Sequence, residues 1–348
     1  PETLNPELPT MVPGQLVGAG RYTLVRMLAL GGSCLIWLAR DERLGNIVAL
    51  KFLQPHLQAD LNMRQELRKE AVQNRSLSHQ NIVHLYDLFE SPAEAPFLVM
   101  EYVEGASLHT MRLERQNQAF SWENLRPIVL QLCSALDHAH GMQIIHRDLK
   151  PANIMVDIRG RVRLADLGIS ASLNDAYTDL LGLRDNRGTM TFMSPQQLEG
   201  QLPSVSDDIY ALGATIYELL CGVPPFHSGD IKHQLQEVPP QPIDARLKEK
   251  NMPCDTPAEV NQMIMNCLDK NPSIRPATIR AVAQIIAPRS ASEPLFITPP
   301  PTNVARTAGL GTASVPRARF SREFYIVILI LFALLVIAAI TLWTVLKQ

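Results

Sequence analysis

The sequence is short of net charge. Its 32 Lys and Arg are balanced by 34 Asp and Glu, leaving a formal charge of -2. No basic excess is available to hold a phosphate backbone, so nucleic acid is not expected as a bulk electrostatic partner. Cysteine is scarce and unpaired: Cys34, Cys133, Cys221, Cys254 and Cys267 are odd in number and form no CxxC pair. That argues against a disulfide framework or a zinc site and for a reducing compartment. No secretory leader opens the chain, which starts at Pro1 rather than methionine, as a fragment of a longer chain does. No internal repeat is evident. The 348 residues suffice for one large or two medium domains.

What is present centres on one run, HRDLKPANIM, from His146 to Met155. A solvated polar loop between a helix and a strand is the bland alternative. The H-R-D-L-x-x-x-N spacing, however, is a phosphoryl-transfer signature. Asp148 can orient an attacking hydroxyl or take up its proton. Asn153, five residues on, can hold a metal ion with its side-chain oxygen. Lys150 can reach a transferring phosphate and offset its developing charge. Around this run the chain alternates between short apolar stretches and helical patterns. YTLVRML, LIWLARD and NIVALKFL read as three strands, and NIVHLYDLFE and APFLVMEYV as two more. Residues from about 61 to 77, and SWENLRPIVLQLCSALDHAHGM, carry helical spacing, the latter with Ser121 as a candidate N-cap.

With these residues the chain resembles the protein kinase family, and Lys150 two positions after Asp148 resembles its serine/threonine branch. The resemblance implies an α+β, bilobal fold over residues 21–286. It has a five-stranded small lobe with one helix (21–100), a hinge (101–104) and a mainly helical large lobe (105–286). Val48-Ala49-Leu50-Lys51 matches the family's V-A-I-K, which makes Lys51 the partner of the α- and β-phosphates. Glu70, nine residues before His79, then pairs with Lys51. Asn74 falls where that helix usually gives an apolar residue to a stacked spine, leaving a polar group in need of a partner.

The family's G-x-G-x-x-G positions are Ala29, Gly31 and Cys34 here. Leu30, Gly31 and Gly32 would cover ATP, and weak affinity is expected because only the middle glycine is kept. Ala49 and Met100 would line the adenine pocket, with hinge backbone from Glu101 to Val103 reading the adenine edge. Asp166, in DLG, would chelate Mg2+ or Mn2+ together with Asn153. Thr189 would dock substrate near Asp148 and Lys150. Arg147 would receive an activation-segment phosphate, with Thr178 as the phosphosite. Asp208 would hold the catalytic-loop backbone. Gln196 replaces a glutamate whose usual partner is Arg275.

Two segments flank this domain. Residues 1–20, rich in Pro and Gly, read as a flexible lead-in. Residues 287–323 are rich in Pro, Ala, Ser and Thr and read as a linker. Phe324 to Leu346 then runs without a charge and reads as a C-terminal transmembrane helix. A buried core helix is the alternative, but such helices seldom run this long uninterrupted. Kinase domain, linker and single span in that order resemble the bacterial receptor-type (eukaryotic-like) serine/threonine kinases. The expectation is an ATP- and metal-dependent kinase at the plasma membrane. Its catalytic domain is cytoplasmic, its partners are Ser/Thr-bearing protein substrates, and a second copy is a candidate partner. A pseudokinase acting as a membrane-tethered scaffold is the alternative.

Overall fold

Residues 47–53 are apolar except for Lys51, and as a strand buried on both faces they build the small lobe. In β4 (Ile47–Leu53), side chains of Val48, Leu50 and Phe52 enter one apolar cluster, with Tyr22, Leu24, Trp37, Phe97 and Val99. Leu53 enters another on the opposite face, with Leu57, Met63, Leu67 and Leu98 beneath the helix α1 (Leu61–Arg75). Period-two geometry therefore puts Lys51 on the α1 face, beside Ala49 and Leu53. The structure, a computed structural model, describes residues 11–31, 34–54, 57–58, 60–167 and 190–287.

Among the described residues the small-lobe sheet has six strands in the order β1-β2-β3-β4-β6-β5. They are β1 (Leu16–Val17), β2 (Tyr22–Leu30), β3 (Cys34–Asp41), β4, β5 (Leu85–Ser91) and β6 (Glu94–Glu101), paired antiparallel throughout. Five strands are expected from sequence, and β1 is the addition. It corrects the reading of the lead-in, because residues 11–20 are held in place. Gly14 donates its N–H to the Leu24 carbonyl at 2.7 Å, and Leu24 returns a bond to Gln15 at 2.9 Å. The Glu94 carboxylate accepts the backbone N–H groups of Gly18 and Ala19 at 2.6 and 2.8 Å. Gly18 and Gly20 sit at φ +65° and +79°. The glycines supply left-handed turns in this strap, and a two-residue strand is too short to show a period.

The large lobe opens with β7 (Gly105–Ser107), α2 (Leu108–Leu113) and α3 (Trp122–Gly141). Ser121 caps α3 by accepting the Asn124 N–H. β8 (Ile154–Asp157) and β9 (Val162–Leu164) complete a three-stranded sheet with β7. Strand β7 lies so close to β8 that a Cβ on Gly105 would come within 2.0 Å of the Val156 carbonyl oxygen. Then come α4 (Pro195–Leu198), α5 (Val205–Cys221), α6 (Ile231–Glu237), α7 (Ile243–Glu249), α8 (Ala258–Cys267) and α9 (Ile279–Ile286). Every residue from Asp207 to Cys221 is buried, which makes α5 the central post of the lobe.

The lobes meet in more than the hinge. Leu77 and Ile82, between α1 and β5, pack into the large-lobe core. Val83 donates to the Leu164 carbonyl at 2.9 Å, and Leu164 donates to Asn81 at 2.8 Å. The Asn81 amide adds a bond to the Val162 carbonyl at 2.9 Å. The connection after α1 is thus fixed to β9, the strand that leads to Asp166. Among the described residues no helix is long and apolar enough to cross a membrane. The expected span at 324–346, and the linker except Ala287, lie outside the described residues.

The grip of Glu94 on the strap gives a stability prediction. Glu94→Ala removes two bonds to a charged acceptor and should cost about 1–2 kcal/mol in urea unfolding. A loss below a few tenths of a kcal/mol would show that the strap adds nothing to the fold.

Candidate active site

The catalytic run gets its shape from a carboxylate beneath it. Asp208 lies in the first turn of α5, where the helix N-terminus favours negative charge. Its Oδ2 accepts the His146 N–H at 2.8 Å and its Oδ1 accepts the Arg147 N–H at 2.9 Å. His140 Nε2 adds a contact to Oδ2 at 2.7 Å. These bonds hold Arg147 at φ +67°, a conformation that costs an L-residue about 1–3 kcal/mol.

His146 is fully buried and joins two halves of the site. Its Nδ1 accepts the Asp148 N–H at 3.3 Å, and its Nε2 faces the Ala165 carbonyl at 3.0 Å. One neutral tautomer, protonated at Nε2, satisfies both. Asp148 is thereby tied to the residue preceding Asp166. Neither His140 nor His146 is among the candidate residues picked from sequence. A histidine in the last turn of a helix reads as a dipole complement, and His146 as the mere start of a motif.

Around Asp148 the expected polar groups converge. Lys150 Nζ lies 3.0 and 2.9 Å from its two carboxylate oxygens. Asn153 Nδ2 donates to the Asp148 carbonyl at 2.8 Å and to Oδ2 at 3.1 Å. With its nitrogen so committed, the oxygen is what Asn153 has to offer a cation. Lys51, buried on β4, places Nζ 2.7 Å from Asp166 Oδ1. Asp166 sits at φ +58°. Burial pushes its carboxyl upward, but the Lys51 ammonium outweighs this and holds it below the usual carboxylate range.

Ala49 and Met100 are register partners on β4 and β6. The Glu101 carboxylate turns away to the large lobe, 3.0 Å from the Arg163 guanidinium, and accepts the His84 N–H at 3.2 Å. Leu30 is exposed at the end of β2. Gly31 donates to the Cys34 carbonyl at 2.9 Å, and Gln54 Nε2 donates to the Gly31 carbonyl at 2.6 Å. Cys34 corrects the loop reading: it is the first residue of β3, buried beneath α1. Gly32, Thr178 and Thr189 lie outside the described residues, as does the Glu70 side chain, although α1 carries its backbone.

Gln196 meets Arg275 as expected and does more. Its Oε1 accepts from the guanidinium at 2.7 Å, while its Nε2 donates to the Lys270 carbonyl at 3.0 Å. A carboxylate could make only the first bond.

The model of the protein kinase domain matches residues 22–286. The chain belongs to the protein kinase domain family. It is 34% identical over 310 residues to serine/threonine-protein kinase PknB of Mycobacterium leprae, covering 85% of this chain and 48% of that protein. It is 35% identical over 229 residues to a probable serine/threonine-protein kinase PknB of Bifidobacterium longum, covering 64% and 33%. The chain thus spans about half, or less, of the length of these relatives. Among solved structures, the Mycobacterium tuberculosis PknI kinase domain superposes with a TM-score of 0.63 at 24% identity, over 80% of this chain and 98% of that one. That likeness supports the bilobal kinase fold.

The two bonds of Gln196 set an expectation for the glutamate found elsewhere in the family. Gln196→Glu strengthens the bond to Arg275 but turns a carboxylate oxygen on the Lys270 carbonyl. The net change in unfolding free energy should stay within about 1 kcal/mol. A gain above about 2 kcal/mol in denaturant titration would overturn this reading of the pair.

Proposed function

We propose that the chain transfers the γ-phosphoryl group of ATP to Ser/Thr hydroxyls of protein substrates, and to itself. The observation that carries this reading is the placement of Lys51 against Asp166, in the same cleft as the Asp148–Lys150 pair. In the transfer, Asp148 orients the hydroxyl and accepts its proton. Lys150, already at that carboxylate, donates to the transferring phosphoryl oxygens. Lys51 positions the phosphates, with Glu70 as its partner from α1. Hinge backbone from Glu101 to Val103 reads the adenine edge, while Ala49 and Met100 line the pocket, and Leu30 to Gly32 cover the phosphates.

Asn153 and Asp166 offer one amide oxygen and one ionised carboxylate, donors that suit a hard divalent cation such as Mg2+ or Mn2+. Such a cation, when bound, neutralises charge on the phosphate oxygens. Among the described residues no group of three or more His, Cys, Asp or Glu could hold a metal. Two protein ligands completed by substrate phosphates fit the way Mg2+ is usually held. A pseudokinase is not favoured, because its motivating departures, Ala29, Cys34 and Gln196, lie outside the groups that handle metal and hydroxyl. Thr178 is the proposed phosphosite and Thr189 the docking residue near Asp148. The Arg147 Nε, buried without a partner among the described residues, supports Arg147 as the phosphate's receiver.

Lys51→Met and Asp166→Asn should each abolish radiolabel transfer from ATP while circular dichroism stays that of the wild type. In wild type, label should map to Thr178. Near-wild-type transfer by either folded variant would undo the site assignment.

The membrane placement rests on the sequence alone. Phe324 to Leu346 comprises 23 uncharged residues. As a helix this is roughly 34 Å long, enough for a hydrocarbon core of about 30 Å. Arg317, Arg319 and Arg322 precede it and only Lys347 follows, a bias that keeps the N-terminal flank inside. Tyr325 and Trp343 suit the two interfaces. Protease added to intact spheroplasts should leave the kinase domain uncut, and carbonate washing should leave it in the membrane pellet. Digestion from outside, or release as soluble protein, would reverse the topology.

A further inference from the structure

Asn74 is a polar residue on α1 that the transfer reaction does not use. It lies four residues after Glu70, so the two positions share a helix face. Its Nδ2 donates to the carbonyl oxygen of Leu167 at 2.9 Å. Leu167 follows Asp166 directly, and its side chain is buried in the large-lobe core. The bond therefore runs from a small-lobe helix to the backbone of the turn that aims Asp166.

That turn needs holding. At φ +58°, Asp166 occupies a conformation that an L-residue keeps only when its surroundings impose it. Rotating the turn out of it would carry the Leu167 carbonyl away from α1. An apolar side chain at position 74 would pack against Leu167 in many orientations, whereas an amide donor accepts one direction. The other end of the amide argues against a packing role. Asn74 Oδ1 is buried without a partner among the described residues. The residue lines a cavity of about 20 Å³ with Leu85, Met100, Leu164, Asp166 and Leu167. A buried oxygen with no protein partner adds nothing to the packing of the fold. A residue chosen for stability would be apolar and would fill that space.

We propose that Asn74 is a positioning residue, latching α1 to the Leu167 backbone and holding Asp166 in its left-handed conformation facing Lys51. Its kinetic consequence rests on the reading of Asp166 as a metal ligand; the latch itself does not. The two variants to make in the full chain are Asn74→Leu and Asn74→Asp. Leucine removes the orphaned oxygen but also the donor of the Leu167 carbonyl, so the unfolding midpoint should stay close to that of the wild type. Aspartate keeps the shape, but its carboxylate cannot donate, and it serves if the leucine variant does not fold.

In either folded variant, without nucleotide or metal, the backbone amides of Ala165, Asp166 and Leu167 should exchange hydrogen about five-fold faster. The Mg2+ concentration for half-maximal transfer should rise about five-fold, with the ATP KM at saturating Mg2+ little changed. Unchanged exchange in a folded variant overturns the latch. Faster exchange with unchanged metal dependence upholds the latch and overturns the metal role of Asp166.

Discussion

The site depends on an ammonium and a carboxylate brought 2.7 Å apart from opposite lobes, Lys51 on β4 and Asp166 beyond β9. Taking both charges out of water costs several kcal/mol, so the pair is a poor source of net stability. What it supplies is specification. Parting them would take from the Asp166 carboxylate its nearest cation, so the cleft is best satisfied when both lobes present their charges together. The depressed carboxyl of Asp166 follows from the same contact. Everything that fixes the orientation of β4 or the turn at 166 therefore acts on this one distance.

Two devices fix those orientations. On the large-lobe side, the buried helix α5 presents Asp208 to the backbone of His146 and Arg147, and His146 reaches on to Ala165. Short loops with left-handed residues carry the chemistry, and a rigid apolar post carries the loops. On the small-lobe side, alternation along β4 aims Lys51, while the connection after α1 is bonded to β9 through Asn81 and Val83. The lobes thus share a backbone joint close to Asp166. Helix α1 cannot shift far without disturbing the strand that leads to Asp166.

Much of the site was legible because its spacing is local. Asp148, Lys150 and Asn153 lie within six positions, and a loop that short forces them together whatever surrounds it. Lys51 was legible for a different reason: Val48-Ala49-Leu50-Lys51 matches the family's V-A-I-K, and the resemblance implies its role. Residues that act through distant partners were harder to see. His140 and His146 have no spacing that announces Asp208 or Ala165 as partners. Cys34 read as a loop position, because the end of a bent hairpin carries no period to show where β3 begins. The strap at 11–20 read as flexible because its glycines signal turns, and the carboxylate that organises those turns stands 75 or more residues away.

By itself the sequence determined the family, the order of the two lobes, the polar groups of the run from His146 to Met155 and the V-A-L-K stretch that carries Lys51. These are carried by short motifs of neighbouring residues and by what their resemblance to the protein kinase family implies. Only the tertiary structure decided where the departures from the family pattern lead. It turns Gln196 into a two-sided link between Arg275 and Lys270. It buries Cys34 under α1, and it gives Asn74 the Leu167 carbonyl as partner. A hydrogen bond needs its donor and acceptor within about 3 Å and aligned. For residues 74 to 93 positions apart, that coincidence is created by the packing of two lobes and by nothing local to either residue.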